Sequence, residues 1–190
     1  MFLAHRPSIH EIERFIDGSR ALSLSYEPVG LAHAGGPGYR VDEHVARVGW
    51  GAAAFSQAVA ALTEWRHFEL GWVELCPRGA AITEGTVVAV AVRHLGFWSL
   101  NGCRVLYQTG DGGATFGFAY GTLTNHAESG EEIFEVRLDP VTGEVTYRIR
   151  AVSRPRAALA RVGYPITRML QARFRRDSAR AVRRAVEVRP

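Results

Sequence analysis

The stretch that most constrains this chain is its C-terminal segment, Tyr164 to Val186. Ile166, Met169, Leu170, Phe174, Ser178, Ala181, Val182 and Ala185 recur at steps of three and four, which stacks them on one face of a helix. Arg168, Arg173, Arg175, Arg176, Arg180, Arg183 and Arg184 fall on the other faces. Pro165 sits in the first turn, where a helix needs no N–H. A helix this long and this one-sided needs a surface to lie on. The chain between about Gly71 and Ser153 reads as that surface, a sheet.

Ahead of the sheet, Ser8-Ile9-His10-Glu11 is a capping box that opens a short helix with Ile9, Ile12, Phe15 and Ile16 at helical spacing and Gly18 as its end. Ala21 to Gly38 is irregular and rich in Gly and Pro, an arm expected to shield a sheet edge. Tyr39 to Gly49 alternates as a strand. Ala52 to Trp65 reads as a helix, with Phe55, Ala58, Val59, Leu62 and Trp65 on one face. Strands follow over Leu70–Leu75, Gly85–His94, Cys103–Gln108, Ala114–Leu123, Glu131–Leu138 and Glu144–Ser153. Gly96 to Gly102 reads as an aromatic-bearing turn closed by Asn101-Gly102, a hairpin signal.

Short connections make these strands antiparallel neighbours. The expected fold is α+β: a curved antiparallel sheet of about seven strands gripping a long C-terminal helix. Gly110, Gly112, Gly113, Gly117 and Gly121 are where the strands bend most easily. All 190 residues read as one domain, with helix and arm over 1–38, sheet and inserted helix over 39–153, and the last helix over 154–190.

Composition narrows the class. The chain is 47% apolar and 22% charged, ordinary for a globular protein, and no apolar run reaches the length of a membrane span. No signal-peptide core precedes Pro7, and the two cysteines, Cys76 and Cys103, make no disulfide framework, so a reducing cytoplasm is the expected location. The net charge is +4 with Arg as the sole basic residue besides His. From Val145 onward thirteen Arg face two acids, Asp177 and Glu187. Such a face is an anionic-partner surface or a solvated one; the missing Lys points to compositional bias and favours the solvated reading, so nucleic acid is not the favoured partner.

The residues resemble an uncharacterised bacterial and plant group, uncharacterised protein family 0548, a domain of unknown function. The resemblance is carried by Gly38-Tyr39-Arg40-Val41-Asp42, Gly71-Trp72-Val73, Arg93-His94-Leu95-Gly96-Phe97-Trp98-Ser99-Leu100-Asn101 and Cys103-Arg104-Val105-Leu106-Tyr107. It continues in Phe116-Gly117-Phe118-Ala119-Tyr120-Gly121-Thr122-Leu123, Gly130-Glu131-Glu132, Ser153-Arg154-Pro155 and Leu170-Gln171-Ala172-Arg173-Phe174. The order of elements is similar to the helix-grip fold of the START, Bet v 1 and polyketide-cyclase superfamily, which implies a cavity between sheet and C-terminal helix. The family implies no activity.

Strand parity nominates site residues. His94 is in phase with Val88, Val90 and Val92, Arg104 with Leu106, Tyr120 and Thr122 with Phe116 and Phe118, and Glu132 with Phe134 and Val136. His94, Arg104, Tyr120, Thr122 and Glu132 are therefore the expected ligand contacts, and Phe116, Phe118, Trp98 and Met169 the expected cavity lining. Arg104 suits a carboxylate or phosphate, and Glu132 or His94 an acid or base. In the bland reading these groups reach water at strand ends, and Glu132 simply pairs with Arg104. Cys76, Cys103, His94 and His126 lack zinc-like spacing, and no nucleotide or nucleophile motif occurs, so neither metal nor cofactor is expected. The leading expectation is a binder of a small apolar or lipid-like ligand. An acid–base enzyme in the same cavity is the alternative, and an Arg-rich interaction helix the third.

Overall fold

The computed structural model describes residues 1–94, 96–156 and 164–187. Leu95, the run 157–163 and residues 188–190 lie outside the described residues, as do the side chains of Tyr164 and Pro165.

The capping box forms as written: Ser8 Oγ accepts from the Glu11 amide at 3.3 Å, and the Ser8 amide donates to Glu11 at 2.8 Å. It opens α1 (Ile9–Ser19). Short α2 (Leu31–Ala34) lies within the arm, and α3 (Gly51–Thr63) and α4 (Tyr164–Glu187) are the two long packing helices.

The strands are β1 (Phe2–Leu3), β2 (Arg40–Trp50), β3 (Val73–Cys76), β4 (Val87–Arg93), β5 (Trp98–Gly110), β6 (Thr115–Thr122), β7 (Glu128–Leu138) and β8 (Glu144–Pro155). They form one antiparallel sheet in the order β2-β8-β7-β6-β5-β4-β3, with β1 paired to the start of β5. The expected α+β, helix-grip architecture is what the chain adopts. Short β1 is an element the sequence pattern did not reveal.

Asn101-Gly102 is not a turn. It lies inside β5, where Asn101 pairs with Val90 and Gly102 with Ala89. The reversal occurs earlier, with the His94 amide bonded to the Phe97 carbonyl at 2.8 Å and Gly96 at φ 88°. Gly102 is required for a different reason: a Cβ there would meet Asn125 Oδ1 at 2.3 Å.

Both faces of the sheet are covered. On the concave face α3 and α4 bury Ala58, Leu62, Phe68, Val88, Phe118, Phe134, Tyr147 and Val182. On the convex face Ile16 and its neighbours in α1 pack on Val87, Ala89 and Leu123, while the arm sets Tyr26 and Leu31 on Leu106 and Val152. The arm therefore seals a face and not an edge. Its latch is Glu131, only 2% exposed, which accepts from the Tyr26 hydroxyl at 2.6 Å, the Tyr107 hydroxyl at 2.5 Å and the amides of Gly30, Leu31 and Ala32. A buried carboxylate is tolerable here because its oxygens are met by donors, including those at the start of α2.

The apolar face of α4 has two fates. Ser178, Ala181, Val182 and Val186 are buried, and the Ser178 hydroxyl meets Tyr147 at 2.7 Å. About two and a half to three and a half turns before Ser178, Ile166 is 51% and Met169 60% exposed. The C-terminal half of the helix is gripped by the sheet, and the N-terminal half stands off it.

Candidate functional site

The stand-off leaves a cavity of about 550 Å³ between α4 and the concave face. Its walls are largely apolar: Val90 and Val92 from β4, Trp72 and Val73 at β3, Phe68, and Leu170 and Phe174 from α4. Phe2, Phe97, Ile166 and Met169 line it too and are exposed, which makes an apolar mouth.

Polar groups enter this wall in two clusters. In the first, Tyr120 of β6 donates to Glu132 of β7 at 2.7 Å. The two residues are cross-strand partners, so the register itself sets this pair. Burial pushes the Glu132 carboxyl up to about 7; the Tyr120 bond and Arg175 work against it, while Glu128 and Asp42 add to it. Glu132 nevertheless keeps a partly exposed surface in the cavity wall. Burial, then Glu132, pushes the Tyr120 hydroxyl well above its ordinary value. Glu128, two pleats before Glu132 on the same face, accepts from Ser153 and from Gln171, each at 2.8 Å. Its Oε1 is buried with no partner, and burial pushes this carboxyl up as well.

Behind these two lies an ion-pair group. Arg168 reaches Asp42 with both Nη atoms at 2.5 Å, and Arg175 stands 3.5 Å from the same carboxylate. Burial pushes Asp42 up, but Arg168, Arg175 and Arg40 outweigh it and hold the carboxyl below its usual range.

The second cluster is on β4 and β5. His94 Nε2 lies 2.8 Å from Ser99 Oγ, and its ring stacks on Phe97 at 4.5 Å. Asn101 donates to Ser99 at 2.9 Å and accepts from the Ala127 amide. Burial lowers the pKa of His94 and of His126, the latter to about 4, so both favour the neutral ring.

The cavity thus brings together His94, Tyr120, Thr122, Glu132 and Met169 among the expected site residues. Thr122 contributes little free polarity, since its hydroxyl is engaged with Gly130 and Ser25. Arg104 is a correction. It lies on the convex face, donating to the Arg20 and Leu22 carbonyls at 3.0 and 2.9 Å, where it closes the end of α1. Its phase-mate Leu106 is buried under the arm, so parity with an apolar residue did not mean the cavity side. Nor does Arg104 pair with Glu132. Trp98 also faces away, with the Arg6 guanidinium over its ring at 5.9 Å. Phe118 and Phe116 share the concave face but sit in or against the solid core, Phe118 meeting Trp65 edge-on at 4.7 Å.

Sequence reasoning missed Ser99 and Asn101, which were assigned to a turn, and Glu128, which lay before the expected start of its strand. Glu128 does carry a signal, since it shares parity with Glu132. Among the described residues no group of three or more His, Cys, Asp or Glu side chains could hold a metal ion. Among them, too, no helix is long and apolar enough to cross a membrane.

A curved antiparallel sheet closed over a long C-terminal helix, with a lined void between them, defines a helix-grip protein. A solved aromatase/cyclase from Streptomyces sp. R1128 has this architecture: it is 20% identical, with a TM-score of 0.52 over 78% of this chain and 94% of that one. The chain belongs to the family described as a domain of unknown function, DUF1990, whose model matches residues 25–181. It is 32% identical to a UPF0548 protein of Dictyostelium discoideum, over 98% of this chain and 96% of that protein. It is 35% identical to a UPF0548 protein of Deinococcus radiodurans, over 97% of this chain and 98% of that one.

Proposed function

We propose that this protein binds a small, largely apolar molecule in the cavity between the sheet and α4, with the polar end of the ligand at Tyr120 and Glu132. The observation that carries the reading is the void itself. About 550 Å³ is left under an apolar helix face whose continuation is tightly packed, and that size falls in the range of small-molecule sites. Apolar walls supply affinity and the few polar groups supply orientation. The exposed apolar mouth gives such a ligand a route in.

The Arg-rich helix supports the solvated reading more than an anionic-partner surface. Arg168 and Arg175 face Asp42, Arg173 and Arg180 face Asp177, and Arg183 faces Glu187. These charges serve contacts within the protein.

An acid–base enzyme is the second reading, and one observation favours it. Glu132 is held at about 7 beside a hydroxyl donor, which poises a carboxyl to accept and return a proton at neutral pH.

Native mass spectrometry of freshly purified protein, with denaturing extraction of anything retained, tests the binding reading. A discrete co-purifying small molecule, or saturable enhancement of anilinonaphthalene sulfonate fluorescence, is the expected outcome. A bare mass together with no probe binding would contradict it.

A further inference from the structure

Glu128 and Glu132 stand four residues apart on one face of β7, both in the cavity wall. Each has one oxygen that no donor among the described residues meets. Glu132 Oε2 takes the Tyr120 hydroxyl, and no described residue donates to its Oε1. Glu128 Oε2 takes Ser153 and Gln171, while its Oε1 is buried without a partner. A carboxylate oxygen removed from water without a donor, as Glu128 Oε1 is, is costly, and a second acidic group on the same wall adds to the cost; Glu132 Oε1 instead faces the open cavity.

The neighbouring cations offset these charges only in part. Arg168 lowers the Glu128 pKa and Arg175 that of Glu132, but both also hold Asp42. Arg93 stands at the exposed end of its strand in the cavity wall. Arg173 lies over the Trp72 ring at 4.6 Å and 3.3 Å from Asp177. Aromatic rings complete the surroundings: Phe68 lies 6.2 Å from Tyr120 and 5.1 Å from Phe174, centroid to centroid, and all three line the void. Ring faces attract a cation, more so where water is excluded.

We propose that the ligand class is an apolar amine: a small molecule with an aryl or alkyl body and one protonated nitrogen, its ammonium donating to Glu132 Oε1 with Glu128 as the second counter-charge. This rests on the reading that the cavity binds a ligand at all. An ammonium brings three donors and no acceptor, which matches two under-satisfied carboxylates. A neutral alcohol brings a donor and no charge. A carboxylate ligand would bring a third acidic group to the same wall.

The test is calorimetric titration with three probes that share one skeleton: phenylbutylamine, phenylbutanol and phenylbutanoate. The amine is expected to bind at least about tenfold more tightly than the alcohol, with the carboxylate weakest. In Glu132→Gln the amine should lose its advantage and fall to about the affinity of the alcohol for the same variant; Glu128→Gln should narrow the gap in the same direction. The variants are isosteric, and circular dichroism checks that they fold. Equal or tighter binding of the alcohol or the carboxylate overturns the amine assignment and leaves the cavity reading standing. An amine preference that survives both substitutions overturns it as well. If none of the three probes binds, the cavity reading falls and the amine assignment falls with it.

Discussion

The Tyr120 hydroxyl donates to Glu132 Oε2 across 2.7 Å, and the two residues face each other in the register of β6 and β7. The bond stabilises the ionised carboxylate, opposing the burial that pushes Glu132 up to about 7. Tyr120→Phe should therefore raise the Glu132 pKa further, by about one unit. Carbon-13 NMR titration of the carboxyl reads this directly. A value that stays put or falls would mean that the bond does not form in solution.

Glu132 should also leave a mark on stability. Its native pKa is raised above the ordinary carboxylate value, so the native state holds a proton that the unfolded chain gives up. That contribution is present below about 4.5 and is lost as pH rises to about 7. Glu132→Gln should accordingly stabilise the protein near neutral pH by about 1–2 kcal/mol and lose that advantage by pH 4.5. Urea midpoints across this range provide the check.

His67 works in the opposite direction. It is fully buried among Trp65, Phe68, Phe118 and Phe134, and neither ring nitrogen has a well-formed hydrogen bond. Burial lowers its pKa to about 3, with the Ala61 backbone opposing. The unfolded chain then binds a proton that the native state refuses, so stability is lost as pH falls from 6.5 toward 3. His67→Leu should make the fall in stability over that window shallower, leaving the slope from His126, which burial holds at about 4, and from the lowered His94 and Asp42. An unchanged acid profile in the variant would contradict this.

Glu131 should hold the arm. Glu131→Ala strands the Tyr26 and Tyr107 hydroxyls and the amides that open α2, all of which it now satisfies. The expected cost is about 3–5 kcal/mol, with new protease sensitivity confined to residues 21–38. Sensitivity spread over the sheet instead would show that the carboxylate supports the whole fold and not the arm.

Much of the fold could be read from periodicity, because strands of two to thirteen residues with short connections leave few antiparallel alternatives. The C-terminal helix was equally plain, but its period could not show that Phe174 to Val186 is gripped while Ile166 and Met169 stand clear. That difference lies in the curvature of the sheet beneath.

The site was only half legible, for one physical reason: the sheet is covered on both faces. Apolar parity then marks burial but not the side. Glu131 and Glu132 show the consequence. They are adjacent, and the first latches the convex arm while the second lines the cavity. Arg104 shared parity with a buried leucine and still lay on the arm side. Asn101-Gly102 carried turn chemistry but serves a close approach to Asn125.

The central claim is that a small apolar molecule enters the space between the sheet and α4. Amide and methyl chemical-shift mapping during titration with phenylbutanol tests it most directly, because it reports where the molecule sits. The account expects saturable shifts at Val90, Val92, Tyr120, Leu170 and Phe174, with the convex arm unmoved. Shifts confined to the outer arginines Arg176, Arg180, Arg183 and Arg184, or to Tyr26 and Leu31 on the convex face, would contradict it.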